Sequence, residues 1–223
     1  MIVNTKTKAT MNWVNTTELL YPNWFLLTKE LYDLERTLKG TTDALHQSRR
    51  YEYPWVYFNL APWNPNDIVL DAGAGDTVFR YLLAKGVKKV CSIDIDISCV
   101  AWAQGIRDKF VNVVPMVGDI MDIPFSDNYF SKVYCISVLE HLPKELVKEG
   151  IDELLRVTGG KIAITMDVSY ERTDKQVDME DFINLMKDYL VVPSLSSSSF
   201  IFWDRGVEPP FPFVVACILI EVG

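Results

Sequence analysis

The stretch that decides the fold is IVLDAGAGD, from Ile68 to Asp76. Its mostly apolar start, residues 68–71, predicts a short buried strand. Gly73 and Gly75 follow, and glycine permits a tight turn in which the backbone approaches a ligand closely. A helix behind such a turn offers unpaired N–H groups to an anionic group. The pattern predicts the first strand and loop of a nucleotide-type cofactor site, although a plain strand-to-helix turn has the same glycines.

Strand and helix patterns alternate after this loop. Further strands are predicted over residues 89–94, 111–117, 131–137 and 161–166, and helices over residues 77–85, 97–110, 144–157 and 179–190, the third of these closed by Gly159-Gly160. Residues 199–203 and 213–222 are two strand-like runs joined by a proline-rich loop. This order predicts an α/β fold, a doubly wound and mostly parallel seven-stranded Rossmann-like sheet with an antiparallel edge strand.

The first 66 residues have a different character. Apolar side chains between residues 24 and 38 fall near helical spacing, and Gly40 marks the end of a helix. Pro62 and Pro65 then break the chain. We therefore expect a helical N-terminal extension over residues 1–66 that caps the site, followed by the cofactor-binding domain over residues 67–223.

Charge and composition exclude several classes of function. The 223 residues include 22 Lys and Arg against 30 Asp and Glu, which gives a formal net charge of −8. Nucleic-acid binders owe much of their affinity to basic faces, so a nucleic-acid partner is disfavoured, as is an anionic membrane surface. The four cysteines are widely spaced and predict neither a disulfide framework nor a metal site. No signal-peptide core and no membrane-length apolar run are visible, so we expect a cytoplasmic protein.

Acidic residues follow the next two predicted strands. Asp94 ends the second strand, where a carboxylate can accept both hydroxyls of a ribose, and Ile95 beside it offers an apolar surface to a base. Asp94 could instead cap the next helix, but Asp96 competes for that role, and we assign the N-cap to Asp96. Asp119 follows the third strand and suits an exocyclic amine, with Ile120 packed on the adenine ring. Three strand ends then point at one crevice, where open α/β sheets bind ligands.

Four blocks in this order, VLDAGAGD, SIDID, VGDIMDIPFSDNYF and VYCISVLEHL, resemble the class I S-adenosylmethionine-dependent methyltransferases, particularly the type 11 group. The resemblance covers about residues 67–166. It implies that the cofactor is S-adenosyl-L-methionine, with Asp71, Gly73 and Gly75 at its methionine end.

The resemblance also implies a wider set of cofactor contacts. The turn around Ile136, behind the fourth strand, would lie beside the methionine moiety, and an upstream arginine or tyrosine would lie against the cofactor. Arg50, Tyr51 and Tyr53 are the candidates for this role, and Arg50 is the one that we include in the predicted set. The full predicted set is Asp71, Gly73, Gly75, Asp94, Ile95, Asp119, Ile120, Ile136 and Arg50.

Position 77 departs from the family's loop, which often has a third glycine there. Thr77 is a good N-cap, so we expect the helix to begin at this residue with its hydroxyl on the backbone. The nearest alternative is an NAD-dependent dehydrogenase. Its G-x-G-x-x-G loop would need glycine in place of Val78, and it would not require Gly118-Asp119 followed by Ile-Pro-Phe. The methyl donor is therefore preferred.

The methyl acceptor is less closely defined. Patterns typical of amino-methylating nucleic-acid enzymes, pyrimidine-ring enzymes and arginine methyltransferases are missing, which leaves an oxygen or nitrogen atom of a small molecule, such as a sugar or other metabolite. His141 follows Glu140 where the fourth strand ends and is our candidate general base, although the pair can equally stabilise the loop. A non-catalytic S-adenosylmethionine-binding regulatory or partner subunit is the alternative, and a homodimer is left open.

Overall fold

The computed structural model describes residues 8–11, 22–40, 48–169, 176–187, 189 and 213–222. The strands in these ranges are β1 (Lys8–Met11), β2 (Ile68–Ala72), β3 (Lys89–Asp94), β4 (Val113–Val117), β5 (Phe130–Ile136), β6 (Thr158–Ser169) and β7 (Phe213–Glu221). The α-helices are α1 (Pro22–Lys39), α2 (Arg49–Asn59), α3 (Phe79–Leu83), α4 (Ile97–Gly105), α5 (Val147–Val157) and α6 (Met179–Met186). No helix of the described residues is long and apolar enough to cross a membrane.

The strands form one sheet in the order β1-β7-β6-β5-β2-β3-β4. Pairing is parallel between β2 and β3, β3 and β4, β2 and β5, and β5 and β6, whereas β7 is antiparallel to both β6 and β1. The predicted doubly wound, mostly parallel sheet with an antiparallel edge is confirmed. The sheet grows outward from β2 through β3 and β4, and then continues with β5 on the other side of β2. This reversal of the strand order opens a crevice at the carboxyl ends of β2 and β5.

The edge strand β1 comes from a part of the chain in which only helices were predicted. Lys8 to Met11 pair with Glu221 to Ile218 of β7. Four residues carry too little periodicity to reveal a strand, and the pairing depends on the unpaired N–H and C=O groups that β7 presents. The predicted partner of β7, residues 199–203, lies outside the described residues, as does the predicted end of α6 at residue 190.

Helices cover both faces of the sheet, and the strand residues alternate between them. Val69 packs with α1, α2 and α3, while Leu70, the next residue, packs with α5 and α6. The extension therefore contributes to the core, because Leu31 of α1 and Trp55 of α2 are buried with the first layer. Burying a strand on both faces is what a parallel sheet requires.

Two glycines that were predicted to close α5 lie within β6 instead. The helix ends at Val157, and the strand begins at Thr158. A Cβ on Gly160 would lie 2.1 Å from the Ser131 carbonyl oxygen, so the glycine permits close approach of β5 to β6. The glycine pair serves strand pairing, which a helix-ending pattern does not distinguish.

Gly160→Ala is expected to lower the free energy of unfolding by about 1–3 kcal/mol, because the added Cβ would overlap the Ser131 carbonyl. Gly105→Ala, at the end of α4, is the matched control, since open space surrounds a Cβ there. Urea unfolding followed by circular dichroism measures both variants. Equal stability of Gly160→Ala and the unchanged protein would contradict the prediction.

Candidate cofactor and active site

Two glycines shape the loop after β2. Gly73 and Gly75 have φ angles of +71° and +51°, a region that favours glycine. A Cβ on Gly73 would lie 2.3 Å from Val138 Cγ2, so the loop also packs against the turn behind β5. The main-chain N–H groups of Gly73 and Ala74 both donate to the Ile93 carbonyl oxygen, at 3.0 and 2.9 Å. The predicted loop is therefore fastened to the end of β3.

Arg80 of α3 is buried beneath this loop, and the sequence patterns did not single it out. Its Nη2 donates to the carbonyl oxygens of Ala74 and Gly75, the latter at 2.6 Å, and its Nε donates to that of Thr77 at 3.1 Å. The Asp71 carboxylate lies 3.4 Å from Nε and balances the charge. A planar guanidinium suits three diverging carbonyls, and an arginine inside the apolar run VFRYLL was the available signal.

Thr77 does not cap α3, so this prediction is wrong. The helix begins at Phe79 with Val78 at the N-cap position, and no side chain caps it. The Thr77 hydroxyl instead donates to the Ala74 carbonyl oxygen at 3.1 Å. A threonine hydroxyl beside a turn has several backbone partners in reach. Here it donates to a carbonyl of the loop and does not accept from the N–H groups of the helix.

Asp71, near the end of β2, has a buried carboxyl group in which one oxygen accepts no hydrogen bond from the described residues. Burial raises its pKa to about 6, although the Arg80 guanidinium opposes the shift. Its Oδ2 atom forms the 3.4 Å ion pair with Arg80 Nε, but within the described part of the chain it accepts no hydrogen bond. A polar ligand group with an N–H donor at the loop would satisfy this oxygen.

Asp94 ends β3, and its carboxylate faces the glycine loop. Oδ2 accepts from the Gly75 N–H at 2.6 Å, and Oδ1 accepts from the Asp96 N–H at 2.8 Å. A carboxylate oxygen accepts more than one hydrogen bond, so both oxygens retain capacity for hydroxyl donors. Asp96 accepts from the Ser98 N–H at 2.8 Å and caps α4, which confirms that prediction.

The residues predicted for adenine lie along the same edge but differ in exposure. Ile95 is 74% exposed and offers an apolar surface, whereas Ile120 is buried and packs into the core. The Gly118 N–H donates to the Asp94 carbonyl oxygen at 3.0 Å, which holds Asp119 beside the end of β3. Asp94, Ile95, Asp119 and Ile120 thus follow neighbouring strand ends at one edge of the sheet. Their predicted contacts with the ribose and the adenine stay predictions.

A buried polar network joins α2 to the ends of β5 and β6. Glu52 is 1% exposed and accepts from Ser137 Oγ at 2.7 Å and from Thr165 Oγ1 at 2.5 Å. Arg49 Nη1 donates to Glu52 and, at 2.6 Å, to Ser137 Oγ. Burial alone would raise the pKa of Glu52, but the Arg49 guanidinium and the two hydroxyls bring it below its ordinary value. The network holds an ionised carboxylate inside the protein.

The arginine that reaches the strand ends is Arg49, whereas Arg50 is exposed. The Arg50 guanidinium lies over the Tyr32 ring, 5.6 Å from its centroid. Residues 49 and 52 share a helix face because they are three apart, and residue 50 lies about 100° around the helix from residue 49. The cofactor contact of Arg50 stays a prediction. The sequence pattern could not show which of the two adjacent arginines, Arg49 or Arg50, lies on the helix face that points at the strand ends.

The turn behind β5 contains the remaining predicted residues. Ile136 is buried, and Ser137 has a φ of +50°, a conformation that costs about 1–3 kcal/mol for a residue other than glycine and is common at functional sites. His141, in the 3₁₀ turn Leu139–His141, is exposed. The neighbouring Glu140 is half-buried with its Oε2 atom inside the protein, and this burial raises its pKa to about 8.

The segment from β2 to the start of β6 also carries the family relationship. Residues 69–160 match the family described as "Methyltransferase domain". These residues form a methyltransferase domain of the class I S-adenosylmethionine-dependent type. The domain includes the glycine loop, Asp94, Asp119 and the turn behind β5. The cofactor prediction, S-adenosylmethionine, is confirmed for this family.

Two curated relatives share this domain. A protein of Mycolicibacterium smegmatis named "Probable S-adenosylmethionine-dependent methyltransferase" is 31% identical over 108 residues, 48% of this chain and 40% of its own. A "Probable ribosomal RNA small subunit methyltransferase A" of Methanosarcina barkeri is 30% identical over 137 residues, 61% of this chain and 45% of its own. The chain thus spans less than half the length of these relatives.

Among solved structures, the geranyl diphosphate C-methyltransferase of Streptomyces coelicolor A3(2) is similar, with a TM-score of 0.63. The match covers 97% of this chain and 91% of the other at 14% identity. That protein was solved with Mg2+, geranyl diphosphate and S-adenosyl-L-homocysteine. At this identity the similarity shows the fold alone.

Arg80→Lys is expected to weaken S-adenosylhomocysteine binding about tenfold or more, because lysine keeps the charge but cannot donate to three loop carbonyls at once. Isothermal titration calorimetry measures the affinity. Arg36→Lys, on the exposed face of α1, is the matched control. A folded Arg80→Lys protein with unchanged affinity would remove Arg80 from the support of the loop.

Proposed function

We propose that this chain transfers a methyl group from S-adenosylmethionine to an oxygen or nitrogen atom of a small molecule, such as a sugar or other metabolite. The observation that carries the proposal is the convergence of the glycine loop, the Asp94 carboxylate and the Ser137 turn at the crevice between β2 and β5. Such a crevice at the switch point of a parallel sheet is where ligands of this fold class bind.

The described residues fit the cofactor. Asp94 retains acceptor capacity for the ribose hydroxyls, and Asp71 has a buried oxygen near the loop that is ion-paired with Arg80 but accepts no hydrogen bond from the described residues. Ile95 presents an open apolar surface beside Asp94. In this proposal the methionine end is held by Asp71, Gly73, Gly75 and Ile136, and the adenine by Ile95, Asp119 and Ile120.

The protein's contribution to methyl transfer is alignment. S-adenosylmethionine supplies a methyl carbon that is electrophilic because it is bonded to a sulfonium. The Glu52 network ties α2 to the ends of β5 and β6, and therefore fixes the turn at Ser137 beside the crevice. A fixed wall orients the acceptor, and proximity with orientation supplies much of the rate of such a reaction. In this view residues 1–66 cap the domain formed by residues 67–223.

Charge supports a small-molecule acceptor over a nucleic acid. The chain has a net charge of −8, and the two arginines described at the crevice are already paired, Arg49 with Glu52 and Arg80 with Asp71. Nucleic-acid binding would draw on an excess of basic side chains. The Methanosarcina barkeri relative is named for ribosomal RNA, so an RNA fragment is the proper competing acceptor. The homodimer stays a prediction.

Release of S-adenosylhomocysteine in the presence of acceptor panels tests this function. Small amines, alcohols and phenols form the first panel, and a ribosomal RNA fragment forms the second. Turnover with the first panel alone is expected. Turnover with RNA alone would contradict the small-molecule proposal, and tight cofactor binding without any transfer would favour the non-catalytic alternative.

Asp94→Ala is expected to weaken S-adenosylhomocysteine binding about tenfold or more, because two charge-assisted hydrogen bonds to the ribose would be lost. Asp96→Ala is the matched control two residues away. It removes the cap of α4 and should lower the free energy of unfolding by about 1 kcal/mol with little effect on affinity. Calorimetry and thermal unfolding measure both variants. Equal affinities of the two variants would remove Asp94 from the ribose role.

A further inference from the structure

Glu140 has a feature that the binding of the cofactor does not use. It lies in the 3₁₀ turn Leu139–His141 directly behind β5, at the crevice. In the described part of the chain, its Oε2 atom is buried and has no hydrogen-bond partner. Leaving a buried acceptor without a donor costs about 1–3 kcal/mol, so the orphaned oxygen needs an explanation. A donor group on a ligand would provide one.

Ionisable groups from three elements surround this carboxyl: Glu52 and Arg49 on α2, Asp167 on β6 and Cys135 on β5. Burial has the largest effect and raises the pKa of Glu140 to about 8. The carboxylates of Asp167 on β6 and Glu52 on α2 raise it further, while the main-chain N–H groups of Glu140 and Asp167 lower it. Burial and the Glu140 carboxyl also raise the pKa of the Cys135 thiol on β5. These surroundings therefore favour the protonated form of Glu140 at neutral pH, and a bound cation would favour the ionised form.

The cation already at this place is committed elsewhere. Arg49 donates to Glu52 and to Ser137 Oγ. Although burial opposes it, the charge of Glu140 helps to raise the pKa of Arg49, so the two groups attract each other, but none of the described hydrogen bonds of Arg49 reaches Glu140. Glu52 in turn accepts from Arg49, Ser137 and Thr165. The two glutamates differ in this respect: Glu52 is fully partnered and structural, and Glu140 retains an open acceptor beside it.

We propose that Glu140 contacts the methyl acceptor and takes a proton from an amine nitrogen of that acceptor. The inference rests on the proposed methyl transfer and names its substrate class. An orphaned carboxyl oxygen accepts an N–H or an O–H donor. Because Arg49 already neutralises Glu52, the Asp167 carboxylate is what favours a donor that carries a positive charge. Proton affinity agrees, because an alkylammonium with a pKa of about 10.4 is matched to Glu140 far better than an aliphatic hydroxyl.

The proposed step balances without a further reactant. The acceptor's ammonium group gives one proton to the Glu140 carboxylate, which frees the nitrogen lone pair. That lone pair forms the bond to the methyl carbon, and the electron pair of the carbon–sulfur bond returns to sulfur, so that neutral S-adenosylhomocysteine leaves. The nitrogen becomes a methylated ammonium, and the proton on Glu140 passes to solvent before the next turnover.

Glu140→Gln tests the step through kinetics. With amine acceptors, kcat is expected to fall about 100-fold or more, as for the loss of a general base, at unchanged S-adenosylhomocysteine affinity. The kcat/KM of the unchanged protein should rise with pH to about 8, and this rise should be missing in the variant. Glu145→Gln, an exposed glutamate in the neighbouring turn Lys144–Leu146, is the matched control.

Infrared spectroscopy gives a second readout that needs no turnover. At pH 7 the unchanged protein should show the carbonyl band of a protonated carboxyl that Glu140→Gln lacks. Methylammonium chloride should abolish this band by ionising Glu140, whereas potassium chloride at equal ionic strength should leave it in place. A band that persists with methylammonium, or that is absent from the start, would overturn the proposal.

Failure of this inference and failure of the proposed function are distinguishable. Transfer to alcohols or phenols only, or a larger loss of kcat in His141→Ala than in Glu140→Gln, would overturn the role of Glu140 and leave the methyltransferase intact. Cofactor binding without transfer to any acceptor would overturn the proposed function and the amine step together.

Discussion

The buried carboxylate of Glu52 is the constraint on which the rest of the site depends. An ionised group inside a protein costs several kcal/mol unless its partners compensate it, and here an arginine and two hydroxyls do so. The partners lie on α2, on the turn behind β5 and on β6. The covering helix, the strained turn at Ser137 and the sheet are therefore held in one geometry, because removing Arg49 would leave the charge uncompensated and removing either hydroxyl would take a hydrogen bond from a buried carboxylate.

Two buried ionisable groups near the crevice illustrate opposite uses of a charge. Arg80 donates its hydrogen bonds to the carbonyl groups of the glycine loop. It therefore stabilises the loop conformation and retains little capacity to bind a ligand. Glu140 leaves one oxygen without a donor and retains the capacity to bind and to exchange a proton. A saturated polar group supports geometry, whereas an unsatisfied one keeps its desolvation cost until a ligand arrives.

The proposed acceptor contacts draw on more of the chain than the family match covers. The matched residues 69–160 contain the glycine loop, Asp94 and Asp119, which we propose for the cofactor, together with Glu140. Arg49 and Glu52 precede this segment, and Thr165 and Asp167 follow it. The match to the methyltransferase family is therefore informative about the cofactor, whereas the groups around Glu140 come partly from outside the matched residues.

The sequence by itself determined the parallel sheet, the glycine loop, the place of Asp94 and the capping role of Asp96. Each depends on a few neighbouring residues whose spacing or backbone freedom has one favourable outcome. The tertiary structure alone decided that Arg49 rather than Arg50 reaches the strand ends, and that Lys8 to Met11 form an edge strand. It also decided that the Thr77 hydroxyl bonds the loop instead of the helix. These outcomes depend on partners that only folding brings together. Glu52 and Thr165, for example, are 113 residues apart in the chain. Local spacing in the sequence carries no information about such partners.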